Sequence, residues 1–272
     1  MMGWLNRIFE RPKKQSDSGN AFSVCTVSFT NMTGYVGIAE RMPLEKLPDF
    51  MNRYFECQTE QIHRREGVVD KYIGDIIMSY WTKPNMDAQL ACESALDQVG
   101  ELAGFHLWAA QNDFPTPEIR IGINSGAMRI GESGTKFLHT STVIGDGVNL
   151  ASRLEGRAKE YGVRILISAE TRQHISDDLI TRQIDRVRIK GRDGYLDVFE
   201  LVCRRGELSA ERENFLHLYQ EGMDHYLGQR FTDSISSFAS ALALAKDDWP
   251  CQLYISRCHR LMEECLPGAG PS

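Results

Sequence analysis

Residues 68–81 read VVDKYIGDIIMSYW, two short runs of β-branched and aromatic residues joined by the segment YIGD at 72–75. Runs of this composition are typical of strands, and a glycine followed by an aspartate is typical of a tight turn. We therefore predict a hairpin whose turn projects Asp75 from the rim of a sheet. A carboxylate held there can bind a hard divalent cation, although an ordinary hairpin with a turn aspartate has the same pattern.

The segments around this hairpin alternate between helix and strand patterns. Apolar residues recur with helical spacing in three long segments, and short runs typical of strands lie between them. We predict a second hairpin turn at Asn124-Ser125-Gly126, and the alternation indicates an α+β sheet domain. The predicted helices are 44–64, 86–111 and 146–160, and the other predicted strands are 22–29, 118–123, 126–130, 163–167, 185–190 and 195–202.

A second informative string, TVIGDGVNLASR at 142–153, opens a predicted helix with a glycine and an aspartate. Asn149 and Arg153 are one turn apart in it, so they lie on one helical face. An arginine is suited to stabilise charge that develops on a phosphoryl group. A capped helix with a solvated arginine gives the same pattern, so this string alone does not decide the chemistry.

A third string, VRIKGR at 187–192, alternates cationic and apolar residues at the end of a predicted strand. Its cationic side chains, Lys190 among them, can hold a polyphosphate. A charged edge strand that protects a sheet against aggregation has the same pattern. Both interpretations stay open on this string alone.

The segment 209–265 has a helical pattern throughout. Its aromatic and small residues fall at spacings that resemble a tetratricopeptide repeat, but it holds only about one and a half such units, and about three are needed for a stable stack. We therefore expect it to dock on the main domain or on a neighbour, as a candidate site for a protein partner. The predicted organisation is an N-terminal segment or linker at 1–20, an α+β domain at 21–203 and a helical extension at 207–272.

Composition and charge limit the function classes. The chain has 272 residues, of which 42% are hydrophobic and 25% charged, a balance that suits packed globular domains. The net charge of −6 argues against nucleic-acid binding, which needs a basic face. No apolar run is long enough to span a membrane, and seven scattered cysteines are typical of a reducing cytoplasm. We expect a cytoplasmic protein, with residues 1–20 as either a peripheral membrane contact or a frayed polar linker.

The order and spacing of the three strings resemble the catalytic domain of class III adenylyl and guanylyl cyclases. Three further strings match in register: NRYF at 52–55, RIGINSG at 120–126 and YLDVFEL at 195–201. The resemblance covers essentially the whole domain at 21–203, and it implies a ferredoxin-like α+β fold. The helical segment that follows is similar to extensions seen after some bacterial cyclase domains.

The resemblance also implies a reaction. Family members convert a nucleoside triphosphate to its 3′,5′-cyclic monophosphate and pyrophosphate, by in-line attack of the 3′-hydroxyl on the α-phosphate with two divalent ions, Mg²⁺ or Mn²⁺. By this resemblance Asp75 binds metal, Asn149 orients the ribose, and Arg153 stabilises charge on the α-phosphate. Lys190 matches a lysine near the terminal phosphates.

Lys71 and Thr142 match the pair that reads the base in this family, and they favour ATP over GTP. A lysine can donate to adenine N1, and a threonine hydroxyl can interact with the 6-amino group. Guanylyl cyclases generally use a glutamate at the lysine position, because guanine N1 and N2 are donors. With guanine bound, the Lys71 ammonium group would face another donor instead of an acceptor, at a cost of ~1–3 kcal/mol. We therefore predict an adenylate cyclase.

One position departs from the family pattern. The first strand normally ends with an aspartate in a Phe-x-Asp-Ile-like string, whereas residues 29–35 read FTNMTGY and have Asn31 at this metal position. An amide oxygen can coordinate a cation but brings no negative charge. Two interpretations stay open: an adenylate cyclase with a degenerate metal site, and a pseudo-cyclase that binds nucleotide or regulates an intact partner.

The resemblance implies a dimer. The family builds its active sites between two catalytic domains, with the metal-binding residues from one and the Asn149 and Arg153 positions from the other. This chain carries a single such domain, so a site needs a second chain. In a homodimer both sites would carry Asn31, whereas a heterodimer with an intact cyclase would have one normal site.

Overall fold

The computed structural model describes residues 23–135, 138–188 and 194–264. Lys190 and the segment 1–20 lie outside these ranges. None of the helices in the described ranges is long and apolar enough to cross a membrane. The strands are β1 (Ser23–Met32), β2 (Val68–Ile73), β3 (Ile76–Trp81), β4 (Ile119–Thr135), β5 (Leu138–Ile144), β6 (Ile165–Ser168), β7 (Leu179–Arg188) and β8 (Tyr195–Arg204). The α-helices are α1 (Tyr35–Arg41), α2 (Leu47–Arg64), α3 (Asp87–Gln111), α4 (Asp146–Tyr161), α5 (Ala169–Gln173), α6 (Ala210–Leu227), α7 (Phe231–Leu244) and α8 (Trp249–Glu264).

The strands of the described residues form one sheet in the order β2-β3-β1-β4-β6-β8-β7. Strand β5 is not in this order and pairs with β4. Neighbouring strands are antiparallel except β4 and β6, which are parallel. The predicted hairpin of β2 and β3 is confirmed, and Gly74 in its turn has a positive φ of 63°, a conformation that favours glycine. Sheet and helices together make the predicted α+β fold.

The predicted hairpin turn at 124–126 is wrong. Strand β4 continues through these residues, and its hairpin partner is β5, which the sequence pattern did not predict. Asn124 donates to the Gly147 carbonyl at 3.0 Å, and the Ser125 hydroxyl hydrogen-bonds with that of Thr26 at 2.8 Å. These tertiary hydrogen bonds satisfy polar side chains inside a strand, so residues that are typical of turns are tolerated there.

Helices cover both faces of the sheet. Helices α2 and α3 pack on one face and α4 packs on the other, and alternate residues of the central strands point to opposite faces. In β6, for example, Ile165 and Ile167 belong to the core under α2 and α3, whereas Leu166 belongs to the core under α4. This packing places α4, with its exposed polar face, along one side of the sheet.

The C-terminal helices α6, α7 and α8 surround an apolar cluster of their own. At its centre Gly222 lies against the ring of Phe238, where a Cβ atom at 222 would come within 2.8 Å of the ring. Tyr219 and Tyr254 each donate to a backbone carbonyl of β7 at 3.0 Å. The extension therefore docks on the sheet of its own chain, and its likeness to a tetratricopeptide repeat stays a prediction.

Candidate active site

Strands β2 and β5 bring Lys71 and Thr142 together. The Nζ atom of Lys71 donates to Oγ1 of Thr142 at 3.1 Å, although the residues are 71 positions apart in the chain. Thr142 is buried, whereas the side chain of Lys71 is 38% exposed. The ammonium group can therefore reach a ligand at the surface while it keeps a hydrogen bond to a fixed hydroxyl.

A third residue, Asp70, belongs to this cluster, and the sequence analysis missed it. Thr142 Oγ1 donates to Asp70 Oδ2 at 2.9 Å, and Lys71 Nζ lies 3.1 Å from the same oxygen. Regular strand alternation places adjacent residues on opposite faces, so nothing in the pattern predicted that Asp70 and Lys71 share a partner. The signal that was present is an aspartate within an apolar strand, where a charge needs a partner.

The end of β1 and the turn between β2 and β3 bring Asn31 and Asp75 to the same rim of the sheet. Asn31 lies opposite Ile76, the residue that follows Asp75, and on its other side it lies opposite Arg120 of β4. Both side chains are partly buried. The structure therefore brings together the two residues that the resemblance assigns to metal.

Glu155 of α4 adds a second carboxylate beside Asn31, and the sequence analysis missed this residue too. Glu155 is 7% exposed, and its Oε1 atom lies 3.4 Å from Nε of Arg120. Burial raises the pKa of Glu155 and Asp75 raises it further, while the Asn31 amide and the Arg120 guanidinium lower it only in part. Burial also raises the pKa of Asp75, and the Asp75 backbone N–H and Arg120 offset this only partly.

These residues fit a divalent cation. Asp75 and Glu155 supply carboxylate oxygens and Asn31 an amide oxygen, the ligand types that Mg²⁺ and Mn²⁺ prefer. Glu155 Oε1 and the Tyr54 hydroxyl are buried and make no hydrogen bond within the described residues. The described ranges contain no convergent group of three or more His, Cys, Asp or Glu side chains. A cation here would therefore complete its shell with water or substrate phosphate.

Asn149 and Arg153 lie on the exposed face of α4, one turn apart, and Glu155 lies on its buried face. Arg153 lines a groove between α4 and β7 together with Arg157 and Arg188. Glu160 also lines this groove and pairs with Arg157 at 3.2 Å, so Arg153 and Arg188 are the guanidinium groups that suit phosphate oxygens here.

The predicted site residues that the structure describes therefore fall into three groups. Thr142 in one group contacts Asp70, and Asn31 in another contacts Glu155. Neither of these two partners was predicted. The placement of Lys190 stays a prediction. The three groups are Lys71 with Thr142, Asn31 with Asp75, and Asn149 with Arg153.

Comparison with known proteins is consistent with this geometry. Residues 18–202 match the adenylate and guanylate cyclase catalytic domain. The terminal-differentiation specific adenylate cyclase of Dictyostelium discoideum is 32% identical over 241 residues, which are 86% of this chain and 11% of that protein. An adenylate cyclase of Anabaena cylindrica is 33% identical over 183 residues, which are 65% of this chain and 36% of that protein.

Among solved structures, the adenylyl cyclase CyaB from P. aeruginosa is similar, with a TM-score of 0.64 and 31% identity. The similarity covers 70% of this chain and 98% of that one. The chain thus spans nearly all of that solved chain, but at most 36% of the length of the two relatives from D. discoideum and A. cylindrica.

Proposed function

The chain belongs to the family of adenylate and guanylate cyclase catalytic domains, and we propose that it converts ATP to 3′,5′-cyclic AMP and pyrophosphate. The observation that carries the choice of ATP is the contact between Lys71 and Thr142. It presents a donor beside a hydroxyl, which complements the acceptor N1 and the donor 6-amino group of adenine. Three relatives at 31–33% identity are named as adenylate cyclases, which supports the same substrate.

In this proposal the exposed face of α4 acts on the reacting end of the substrate. Asn149 orients the ribose so that the 3′-oxygen approaches the α-phosphorus in line with the bond to pyrophosphate. Arg153 stabilises the charge that develops on the α-phosphate as one P–O bond forms and the other breaks. Arg188, in the same groove, and Lys190 bind the terminal phosphates.

The rim of the sheet supplies the metal position. Asp75 and Asn31 would hold the cation, Mg²⁺ or Mn²⁺, and Glu155 would supply the second negative charge beside them. A bound divalent cation neutralises phosphate charge and lowers the pKa of a hydroxyl near it. The Arg120 guanidinium interacts with both carboxylates and lowers the pKa of Asp75 and of Glu155, although burial outweighs it.

We propose a site that forms between two chains. Asn149 and Arg153 point outward from α4, while Asp75 lies at the rim of the sheet. A second chain that faces this surface would complete each site, as the family resemblance implies. The second chain is either another copy or an intact cyclase. A protein partner for the extension and a cytoplasmic location stay predictions.

The decisive experiment compares cyclic nucleotide production from ATP and GTP, with Mn²⁺, by the wild type and by Asn31→Asp. The substitution adds a negative charge at the metal position, so we expect cyclic AMP formation to rise by about tenfold or more, with ATP preferred. Asn214→Asp, on the exposed face of α6, is the matched control, because it adds the same charge far from the site. It should leave the rate unchanged.

A second candidate function is regulation without turnover. The observation that favours it is Asn31, whose neutral amide lies beside Glu155 and favours the charged form of that carboxylate. If neither the wild type nor Asn31→Asp forms cyclic AMP at concentrations where the chain is dimeric, the catalytic proposal is abandoned. Nucleotide binding in the same preparations would then support the regulatory function.

A further inference from the structure

Strand β2 contains a β-bulge at Asp70. Its register against β3 shifts between Val69 and Lys71, which leaves Asp70 as an extra residue. Val69 and Tyr72 both face the side of the sheet that α2 and α3 cover, where Val69 packs on the core and Tyr72 stacks on the ring of Phe55 in α2, with ring centroids 4.2 Å apart. Asp70 and Lys71 therefore share the opposite face, and both reach Thr142 there.

The bulge determines how the Thr142 hydroxyl is used. A hydroxyl has one hydrogen to donate and two lone pairs that accept. The hydrogen is donated to Asp70 Oδ2 at 2.9 Å, and Lys71 Nζ donates to a lone pair at 3.1 Å. The side chain of Asp70 is fully buried, and turning this hydrogen away would remove one of the two donors near its Oδ2 atom, the other being the Lys71 ammonium group at 3.1 Å, which costs free energy in a buried site. Thr142 is therefore left with only acceptor capacity for a ligand.

We propose that Asp70 sets the base preference of the site by holding Thr142 as an acceptor. This inference rests on the proposed function, because it takes a purine to lie against Lys71 and Thr142. A 6-amino group then donates to Thr142, whereas a 6-oxo group would bring acceptor against acceptor. The other carboxylate oxygen, Asp70 Oδ1, is buried and makes no hydrogen bond in the described part of the chain, so it adds to the negative potential that opposes a carbonyl.

Asp70 is thus a positioning residue that acts through Thr142, and its test is a ratio of two affinities. The probes are 3′-deoxy-ATP and 3′-deoxy-ITP, which lack the attacking hydroxyl and differ only at N1 and position 6 of the base. Binding of each is measured by calorimetry with Mn²⁺ on the full chain. We expect the wild type to prefer 3′-deoxy-ATP and Asp70→Asn to reduce this preference by about tenfold.

The expected change has a specific cause. The carboxamide of Asp70→Asn can donate to Thr142, so the threonine hydroxyl can turn its hydrogen towards a 6-oxo group. Affinity for 3′-deoxy-ITP should therefore rise while affinity for 3′-deoxy-ATP falls. The matched control is Glu66→Gln, which removes a charge from an exposed pair with Lys83 in the segment before β2. It should leave both affinities unchanged.

Three outcomes overturn the proposal, and they are distinguishable. An equal loss of both affinities in Asp70→Asn, with an unchanged ratio, assigns Asp70 a structural role and leaves the proposed function intact. A wild type that binds neither probe removes the proposed function and this inference with it. Thr142→Val should also reduce the preference, and a further change of the ratio when Asp70→Asn is added would show that Asp70 does not act through Thr142.

A second variant covers the case in which Asp70→Asn does not fold. Asp70→Ala removes the acceptor of the Thr142 hydrogen without offering a donor, so it should reduce the preference for 3′-deoxy-ATP, but less than Asp70→Asn does. An unchanged ratio in Asp70→Ala overturns the proposal in the same way. Unfolding curves of each variant, measured beside the wild type, identify those that are folded.

Discussion

Gly122 lies where α4 makes its closest approach to β4. A Cβ atom at this position would come within 2.2 Å of the Glu155 backbone nitrogen and 2.3 Å of the Ala151 carbonyl oxygen. Backbone atoms cannot rotate away as a side chain can, so any larger residue must push the helix off the sheet. The glycine therefore sets the distance between the sheet and the helix that carries Asn149 and Arg153.

Gly122→Ala is expected to lower the free energy of unfolding by about 1–3 kcal/mol or more, because the core must be overpacked to admit the methyl group. Urea unfolding followed by circular dichroism measures the change. Gly156→Ala is the matched control, since Gly156 lies on α4, the helix that packs against Gly122, and its Cβ would meet no atom within 4 Å. The control variant should have the same free energy of unfolding as the wild type, or one higher by up to about 1 kcal/mol. Equal stability of Gly122→Ala and the wild type would contradict this account.

The residues of the candidate site were predictable to different degrees. Lys71 and Thr142 stand in strings that match a family, and the structure brings them together. Asp70 was not predictable, because a β-bulge cancels the alternation that would point it away from Lys71. Glu155 was not predictable either, because only the three-dimensional fold brings it beside Asn31.

At the scale of elements, the long helices α2, α3 and α4 and the β2–β3 hairpin were predictable because their signals are local, whereas the short helix α1 was not predicted. Helical periodicity and a turn glycine depend on residues a few positions apart. The unbroken course of β4 was not predictable, because its buried polar residues are satisfied by distant partners. Strand β7 likewise begins at Leu179 rather than at 185, since its first residues pair with β8.

Asp185 of β7 joins three elements through one carboxylate. It accepts hydrogen bonds from both Arg257 nitrogens of α8 at 2.9 and 2.7 Å, and from the Tyr161 hydroxyl at the end of α4 at 2.8 Å. Burial alone would raise the pKa of Asp185, but the hydrogen bonds from Arg257 and Tyr161 outweigh burial and hold the pKa below its ordinary value. The extension and α4 are therefore linked through this residue.

Asp185→Asn is expected to lower the free energy of unfolding by about 2–3 kcal/mol at neutral pH, because Arg257 loses its carboxylate partner. The folded pKa lies below the unfolded value of about 3.9, so this stabilisation is fully present above about pH 4. It is lost as the pH falls through the folded pKa. Urea unfolding of variant and wild type from neutral to acid pH should therefore show their difference closing at low pH.

Asp197→Asn is the matched control for Asp185→Asn. Asp197 lies on the neighbouring strand β8, and its 3.7 Å ion pair with Arg186 is largely exposed. Exposed pairs contribute about 0–1 kcal/mol, so this variant should stay close to the wild type at neutral pH. A stability difference between Asp185→Asn and the wild type that stays constant down to low pH would contradict the assigned role of the Asp185 carboxylate.

At the scale of the whole molecule, the extension is part of the folded unit. Arg182 of β7 is 7% exposed, and it pairs with Glu200 of β8 and, at 2.7 Å, with Asp248 between α7 and α8. Its guanidinium also lies 4.6 Å from the ring centre of Tyr219 in α6. A buried cation that depends on the extension for one carboxylate links the extension to the sheet, because removal of that carboxylate would leave a buried charge less well compensated.

If each site is shared between two chains, two inactive variants with defects on different surfaces should restore activity when they are mixed. Asp75→Ala and Arg153→Ala should each abolish cyclic AMP formation in homodimers, because every site then lacks one group. When the two variants are mixed, a mixed dimer collects both defects in one site and none in the other. If pairing is random, half of the dimers are mixed and each has one intact site, so about one quarter of the wild-type activity should return.

The control mixture combines Asp75→Ala with Asn31→Ala. Both residues lie on the same rim of one chain, so every site in every dimer keeps a defect and the mixture should show no more activity than its two parent variants. Two different affinity tags allow mixed dimers to be isolated and counted before the assay. If isolated mixed dimers of Asp75→Ala and Arg153→Ala stay inactive while the wild type turns over, the groups of one site come from a single chain. The exposed face of α4 would then need a role other than completing the site of its neighbour.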